Sequence, residues 1–386
     1  MDLKKWVSRN QKLRDILIRK EIIKGTLNSR NKYLLANFSG TAQGKDIEKR
    51  TALINDFFRI KINVKAFSEA EMKKIGKNLV DFSNSQEVSN ALRDEFDMPE
   101  WAYLTMKNRP LVDYNNVLIY QLKGCNIFCP WCYVDDINKN SKKDNNSDYF
   151  SISEIVDVFQ EERKKQPLYM IRPSGGEPTL AVEQWLEVLR ELEKRGIEKE
   201  VYIQGDTNLT TGHFIESLEK TNQIKKNILN EIGGYKNFGV LCSFKGTDAE
   251  SFLKACGFVK KDGTQNINYS FLEKERWYSF EKLIKSGIDA YPFIYNPNPE
   301  SLESFIEKGI RKFSENFLLK TRMFKLKLYD PEKERYQKQG KNPENEQTRL
   351  NEDYEKSYEI LDNLVQKRFG IPYGSTSRAG IKLELK

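Results

Sequence analysis

The sequence predicts an α/β fold: a partial (β/α)6 parallel barrel with an N-terminal helical extension and a C-terminal helical/extended segment. Three observations predict it. Short apolar runs alternate with segments of helical period through the middle of the chain, the pattern of parallel strands joined by crossover helices. Six such units can be counted, too few to close an eight-stranded barrel. Polar clusters fall directly after several of the apolar runs, at the strand ends where parallel barrels carry their chemistry.

The elements follow in order. Val117-Leu118-Ile119-Tyr120-Gln121-Leu122 is the first strand. Ser151 and Glu154 form a capping box before Ile155, Val156 and Phe159 at helical spacing. Leu168-Tyr169-Met170-Ile171 is the second strand and runs to Gly175-Gly176. Trp185, Leu186, Leu189 and Leu192 share one face of the next helix, which Gly196 stops. Val201-Tyr202-Ile203 is the third strand, closed by Gly205-Asp206-Thr207-Asn208, and a helix is expected over 213–229. Gly239-Val240-Leu241-Cys242-Ser243 is the fourth strand. Trp277, Phe280, Leu283 and Ile284 mark a helix before the fifth strand at 291–295. Pro299 opens a helix carrying Leu302, Phe305, Ile306 and Ile310, and 324–328 reads as the sixth strand.

The barrel core is therefore placed at 111–329. Residues 1–110 read as a mainly helical extension, from Trp6, Leu13 and Leu17 and from Leu79, Val80 and Phe82, with a looser stretch between Gly25 and Gly44. Residues 330–386 read as a charged linker, a helix with Tyr354, Tyr358, Leu361, Leu364, Val365 and Phe369 that stops at Gly370, and a tail.

Composition fits a soluble enzyme. The 386 residues give ample chain to bury a core. No run of roughly 18 apolar residues is present, so no membrane helix is expected. The polar, charged start (Asp2, Lys4, Lys5, Arg9) has no apolar segment of a secretory leader, which leads to an expected cytoplasmic location. A net charge of +8 permits attraction to RNA, acidic peptides or an acidic electron donor.

The chemistry is carried by Cys125-Asn126-Ile127-Phe128-Cys129-Pro130-Trp131-Cys132, a C-x3-C-x2-C spacing. Three thiolates can bind three irons of a four-iron cubane and leave the fourth without a protein ligand. An open iron on a low-potential cluster is a coordination site, and the amino and carboxylate groups of S-adenosylmethionine suit it. Zinc sites usually present paired ligands, and only Cys242, Cys256 and His213 remain, none as a second pair. Three of five cysteines crowded into one turn are a poor disulfide framework and read as metal ligands of a reducing compartment.

This stretch resembles the signature of the radical SAM superfamily. A second signal, Pro173-Ser174-Gly175-Gly176-Glu177-Pro178, resembles that family's GGE motif. The two are independent, and the resemblance covers residues 117–329. It implies one [4Fe-4S] cluster held by Cys125, Cys129 and Cys132, and S-adenosylmethionine as cosubstrate. It also implies reduction by a flavodoxin or ferredoxin, and cleavage to methionine and a 5′-deoxyadenosyl radical that takes hydrogen from a substrate, a chemistry of oxidoreductase or lyase type. By the same resemblance Trp131 lies near the adenine. The absence of cysteines near the C-terminus implies a single cluster.

Further cofactor contacts are expected at the strand ends. Gly175 and Gly176 allow close backbone approach to a ligand, with Glu177 supporting the methionine ammonium. Thr207 and Asn208 suit the sugar or the carboxylate, against an ordinary turn role. Ser243 and Lys245 suit ribose or carboxylate, Lys245 as a mobile point charge. Asn296 and Asn298 are candidates for adenine or substrate. Cys242 is a candidate hydrogen-atom donor, with simple burial as the alternative. Cys256 reads as a buried helix end, and His213 as a capping or solvated residue rather than a base. The polar segment 135–148 reads as a flap over the cofactor or a surface loop. An iron–sulfur electron-transfer or regulatory protein, and a zinc-bound RNA-binding module, remain as alternatives. No RNA-binding motif with interleaved aromatics is present.

Overall fold

The computed structural model describes residues 1–22, 29–45, 51–62, 98–258, 264–375, 378 and 380–386. The chain opens with helix Leu3–Leu17, followed by β1 (Ile18–Ile22), β2 (Ser29–Ala36) and the antiparallel pair β3 (Thr51–Asn55) and β4 (Phe58–Ile62). The barrel strands are β5 (Asn116–Leu122), β7 (Met170–Gly175), β8 (Tyr202–Thr207), β9 (Phe238–Lys245), β10 (Asp289–Tyr295) and β11 (Arg322–Phe324), with β6 (Ser147–Ser151) interposed in sequence. These six pair in parallel, each with the next, and the sheet path ends at β11 without closing.

The crossover helices form where the sequence specifies them. Ser151 N–H donates to Glu154 at 2.7 Å and its hydroxyl caps helix Ile152–Arg163 in return. Trp185, Leu186, Leu189 and Leu192 are all buried on helix Glu183–Lys194, and Gly196 follows it with φ +69°. Helix Pro299–Phe313 starts with proline in its first turn behind the Asn298 cap.

Strand alternation divides two apolar layers. Ile171, Ile203, Val240 and Cys242 face the helices, packed with residues such as Trp185 and Phe280. Val117, Met170, Tyr202, Leu241 and Tyr291 face the barrel interior. Trp101, from helix Met98–Met106, stacks on Tyr291 with centroids 3.6 Å apart and plugs that interior near the starts of the strands.

Both ends differ from the sequence reading. The N-terminal extension is helical only in part: among its described residues, β1 to β4 build antiparallel strands. β4 pairs along β5 (Phe58 with Tyr120, Ile62 with Asn116) and β2 touches β5 at Leu35–Leu122. The stretch expected to be loose thus holds β2. Its polar residues come first and its four buried ones (Tyr33 to Ala36) come last, so it shows neither strand nor helix period. Leu79, Val80 and Phe82 lie outside the described residues. At the other end, the expected linker folds into helix Asp330–Lys338, and helix Pro343–Phe369 runs 27 residues to Gly370. The sixth strand covers Arg322–Phe324 only, and 325–329 continues as irregular chain. The helix expected over 213–229 is broken into Gly212–Lys220 and Ile228–Gly233.

Candidate functional site

Cys125, Cys129 and Cys132 lie on the loop that leaves β5. Gly124, at φ +103°, turns the chain out of the strand, and its N–H donates to Asn138 O at 3.0 Å. Cys125 N–H donates to Lys139 O at 2.9 Å. Segment 135–148 is therefore tied by backbone hydrogen bonds to the start of the cysteine loop. It forms the short helix Asp136–Lys139 beneath the cysteine loop and leads into β6. Buried Lys123 anchors it through Asp144 at 2.6 Å.

Arg335 holds the same loop from the far end of the chain. Its side chain is 9% exposed. It donates to the carbonyls of Pro130, Cys132 and Val134 and pairs with Asp136 at 2.8 Å. Removing it leaves carbonyls without a donor, so Arg335→Met is expected to cost about 1–3 kcal/mol of stability. The larger sign should be poor iron retention after anaerobic reconstitution, read by iron analysis, since the loop's shape is lost with its buttress.

Gly175, Gly176 and Glu177 end β7 and lie directly against that loop. Gly176 N–H donates to Leu122 O at 3.1 Å and Glu177 N–H to Gly124 O at 3.0 Å. A Cβ on Gly176 would sit 1.5 Å from Gly124 O, and one on Gly175 (φ +125°) 2.5 Å from the Leu122 backbone. The approach of the two backbones to each other thus requires glycine at both positions, which also border the cavity described below. The Glu177 carboxylate is buried and accepts from Thr207 Oγ1 at 2.9 Å, Asn208 N–H at 2.7 Å and the Thr179 hydroxyl. Burial raises its pKa, and these donors work against the rise. Glu177 fastens the loop after β7 to the loop after β8.

Asn208 continues the chain of contacts. Its Nδ2 donates to Asn126 Oδ1 at 2.8 Å and lies 3.6 Å from Cys125 Sγ. Asn126 in turn reaches Asn10 of the first helix at 3.2 Å and Thr210 at 2.9 Å. Trp6 Nε1 donates to Thr210 O at 2.8 Å, so the N-terminal helix braces this corner.

Across the opening, Trp131 stacks on Tyr295 (5.4 Å, 11°), and Lys245 Nζ lies 4.9 Å from the indole centroid. Burial opposes the Lys245 charge, but the sulfurs of Cys129, Cys256, Cys125 and Cys132 outweigh it and hold its pKa above the usual lysine range. Burial likewise disfavours the Cys129 thiolate. A hydrogen bond from Cys256 and the charges of Lys245 and Lys139 reverse that and bring its pKa below the ordinary thiol value. Cys125 and Cys132 are pushed up, mainly by burial.

One cavity of about 240 Å³ collects these groups. Cys125, Cys129, Cys132, Trp131, Gly175, Gly176, Glu177, Thr207, Asn208, Ser243 and Lys245 all border it. The other candidates lie elsewhere. Cys242 points to the helix side of β9, fully buried, with its sulfur 3.7 Å from Val240 O, because alternation turns Leu241 and Ser243 inward instead. Asn298 caps its helix and donates to Asp248 at 3.0 Å, and Asn296 occupies a left-handed turn with φ +53°. His213 stacks on Tyr278 and pairs with Glu275. Cys256 is buried as expected, but beside Cys129.

Arg172, Tyr295 and Arg335 escaped the sequence reading. Arg172 forms a buried ion pair in the cavity wall, at 2.8 Å, with Asp206 of the polar cluster after the third strand. Burial works against the Arg172 charge, and Asp206 more than restores it. The available signal was an arginine inside the apolar run Met170-Ile171-Arg172. Tyr295 and Arg335 gave no local signal.

The donor set fits an iron–sulfur cluster. The three thiols come from one loop, with cations beside them. Among the described residues no three His, Cys, Asp or Glu side chains converge on a single ion, whereas a cubane asks each cysteine for its own iron. The buried Trp131 indole N–H has no partner and borders the cavity, as a ligand-facing donor would.

Residues 119–308 match the family model described as Radical SAM superfamily. No curated protein matches the chain. Among solved structures the chain resembles one titled "Structure of TYW1 with a lysine-pyruvate adduct bound", at 10% identity and a TM-score of 0.34, over 83% of this chain and 87% of that one. Among the described residues no helix is long and apolar enough to cross a membrane.

Proposed function

We propose, on the premise that residues 119–308 form a radical SAM superfamily domain, that this chain is a radical SAM enzyme acting through one [4Fe-4S] cluster and S-adenosylmethionine. The observation that carries the reading is the direct hydrogen bonding of the Gly175-Gly176-Glu177 segment to the start of the cysteine loop, both on one cavity. When bound, the reduced cluster supplies the electron that cleaves the sulfonium to methionine and a 5′-deoxyadenosyl radical.

The chain's own residues do the rest. Cys125, Cys129 and Cys132 hold the irons. Glu177 keeps the loops after β7 and β8 in register, and so positions Thr207 and Asn208. Lys245, a buried cation over two aromatic faces, suits the methionine carboxylate, and Ser243 offers a hydroxyl on the same strand. Trp131 presents a ring face and a spare N–H to the adenine or ribose. The Arg172–Asp206 pair gives the floor a fixed dipole. A flavodoxin or ferredoxin is the electron donor in this reading, in a cytoplasmic setting.

The test is anaerobic. Protein reconstituted with iron and sulfide, reduced with dithionite and given S-adenosylmethionine should release 5′-deoxyadenosine and methionine in equal amounts. A reduced cluster that releases neither rejects the proposal.

A further inference from the structure

Two side chains outside the trio of cysteine ligands reach its sulfurs. The first is Asn208, buried just after β8. Its neighbours fix which way its amide points. Oδ1 accepts from the Thr210 backbone N–H at 3.1 Å and from the Thr210 hydroxyl, so the nitrogen must face the other way. One of its N–H groups goes to Asn126 Oδ1 at 2.8 Å, and the Asn126 amide closes the ring on Thr210 Oγ1 at 2.9 Å. The second N–H has Cys125 Sγ, at 3.6 Å, as its partner. The backbone is held in that posture. Glu177 accepts the Asn208 N–H at 2.7 Å, and buried Leu209 sits at φ +64°, a left-handed conformation that leucine rarely adopts. A residue persists there where the surrounding structure imposes it.

The second is Cys256, which ends helix Ala249–Ala255 and donates its backbone N–H to Phe252 O at 2.9 Å. Gly257 (φ +72°) follows, pressed on the cysteine loop: a Cβ there would lie 2.6 Å from Phe128 O. The Cys256 thiol is fully buried in the same apolar cluster as Cys129 and donates a hydrogen bond to its sulfur.

We propose that Asn208 and Cys256 set the redox poise of the cluster, each by a hydrogen bond to one ligand sulfur, Asn208 to Cys125 and Cys256 to Cys129, and that both bonds raise its reduction potential. The inference rests on the radical SAM reading and adds to it a control on electron entry. Reduction brings one electron from the flavodoxin or ferredoxin donor, and with it one negative charge shared by the core and the cysteine sulfurs. A donor aimed at a sulfur stabilises the more negative state more, so the electron is accepted more readily. Burial strengthens the effect, because water does not compete at the sulfurs. Both are positioning residues, acting through the cysteines they touch.

A redox titration of the reconstituted, full-length protein, followed by electron paramagnetic resonance without S-adenosylmethionine, tests the inference. Iron and sulfide analysis of each sample accompanies it. Asn208→Leu and Cys256→Ala should each keep the cluster and lower its midpoint. At a fixed ambient potential the reduced-to-oxidised ratio should fall by about tenfold in each, a shift of about 59 mV for a one-electron couple. Cys256→Ser keeps a donor at the same place and should recover part of the loss. An unchanged or higher midpoint in both fully loaded variants overturns the proposal, and loss of iron in Cys256→Ala overturns it for Cys256. Should Asn208→Leu lose its iron, the Cys256 pair decides alone. The midpoint needs neither turnover nor the cosubstrate, so a result against this inference is distinct from a failure to release 5′-deoxyadenosine.

Discussion

Gly176→Ala should abolish 5′-deoxyadenosine formation while leaving the protein folded. The added methyl would fall 1.5 Å from Gly124 O and 2.8 Å from Cys125 N, both backbone atoms. Backbone cannot rotate away as a side chain does, so the cysteine loop or the β7 end must move. Overpacking of this kind costs about 1–3 kcal/mol, which a barrel with two large apolar layers survives. The chemistry is less tolerant: displacement of a reacting group by about 1 Å can cost on the order of 100-fold in rate. Thermal melting and product analysis on the same sample separate the two effects. A variant with full activity would show that the contact between the two motifs is incidental.

Cys125→Ala should remove the brown chromophore, the bound iron and cleavage together. Two thiols cannot hold three corners of a cubane, and Cys125 is the cysteine tied to the second motif, through Asn208 and Gly124. Cys242→Ala is the informative contrast. That thiol faces the helices and is fully buried, so the expected loss is packing only, with iron content and product unchanged. Near-stoichiometric iron in Cys125→Ala would overturn the ligand assignment. Loss of product in Cys242→Ala without loss of fold would show that the strand is read with the wrong face inward.

Much of this site could be read from sequence because its parts are local. Three cysteines in one turn and two glycines after a strand declare themselves by spacing, and alternation along β9 separates Ser243 and Lys245 from Cys242. The strand-helix alternation likewise carried the barrel, because each crossover helix buries one clear face, as Trp185, Leu186, Leu189 and Leu192 do.

The supports did not declare themselves, for a physical reason. Arg335 acts across some 200 residues of chain on carbonyls, which have no sequence signature. Charge-rich 330–338 reads as linker because two of its four buried residues, Glu332 and Arg335, are charged, which leaves only Pro331 and Tyr336 to suggest a buried face. β4 does alternate, Phe-Arg-Ile-Lys-Ile, and could have been found as a strand. β2 could not, its buried half being continuous. At the Gly175-Gly176 pair the structure adds a backbone-to-backbone constraint that spacing alone does not declare.

The central claim is a three-cysteine cluster with one iron open to S-adenosylmethionine. Electron paramagnetic resonance of the reduced protein, recorded with and without that molecule, tests it most directly. The account predicts a four-iron signal whose g values shift on addition, because the amino and carboxylate groups enter the cluster's coordination. Identical spectra from a fully loaded, fully reduced sample would contradict it, and Cys256, buried beside Cys129, would then be the first candidate for a fourth ligand.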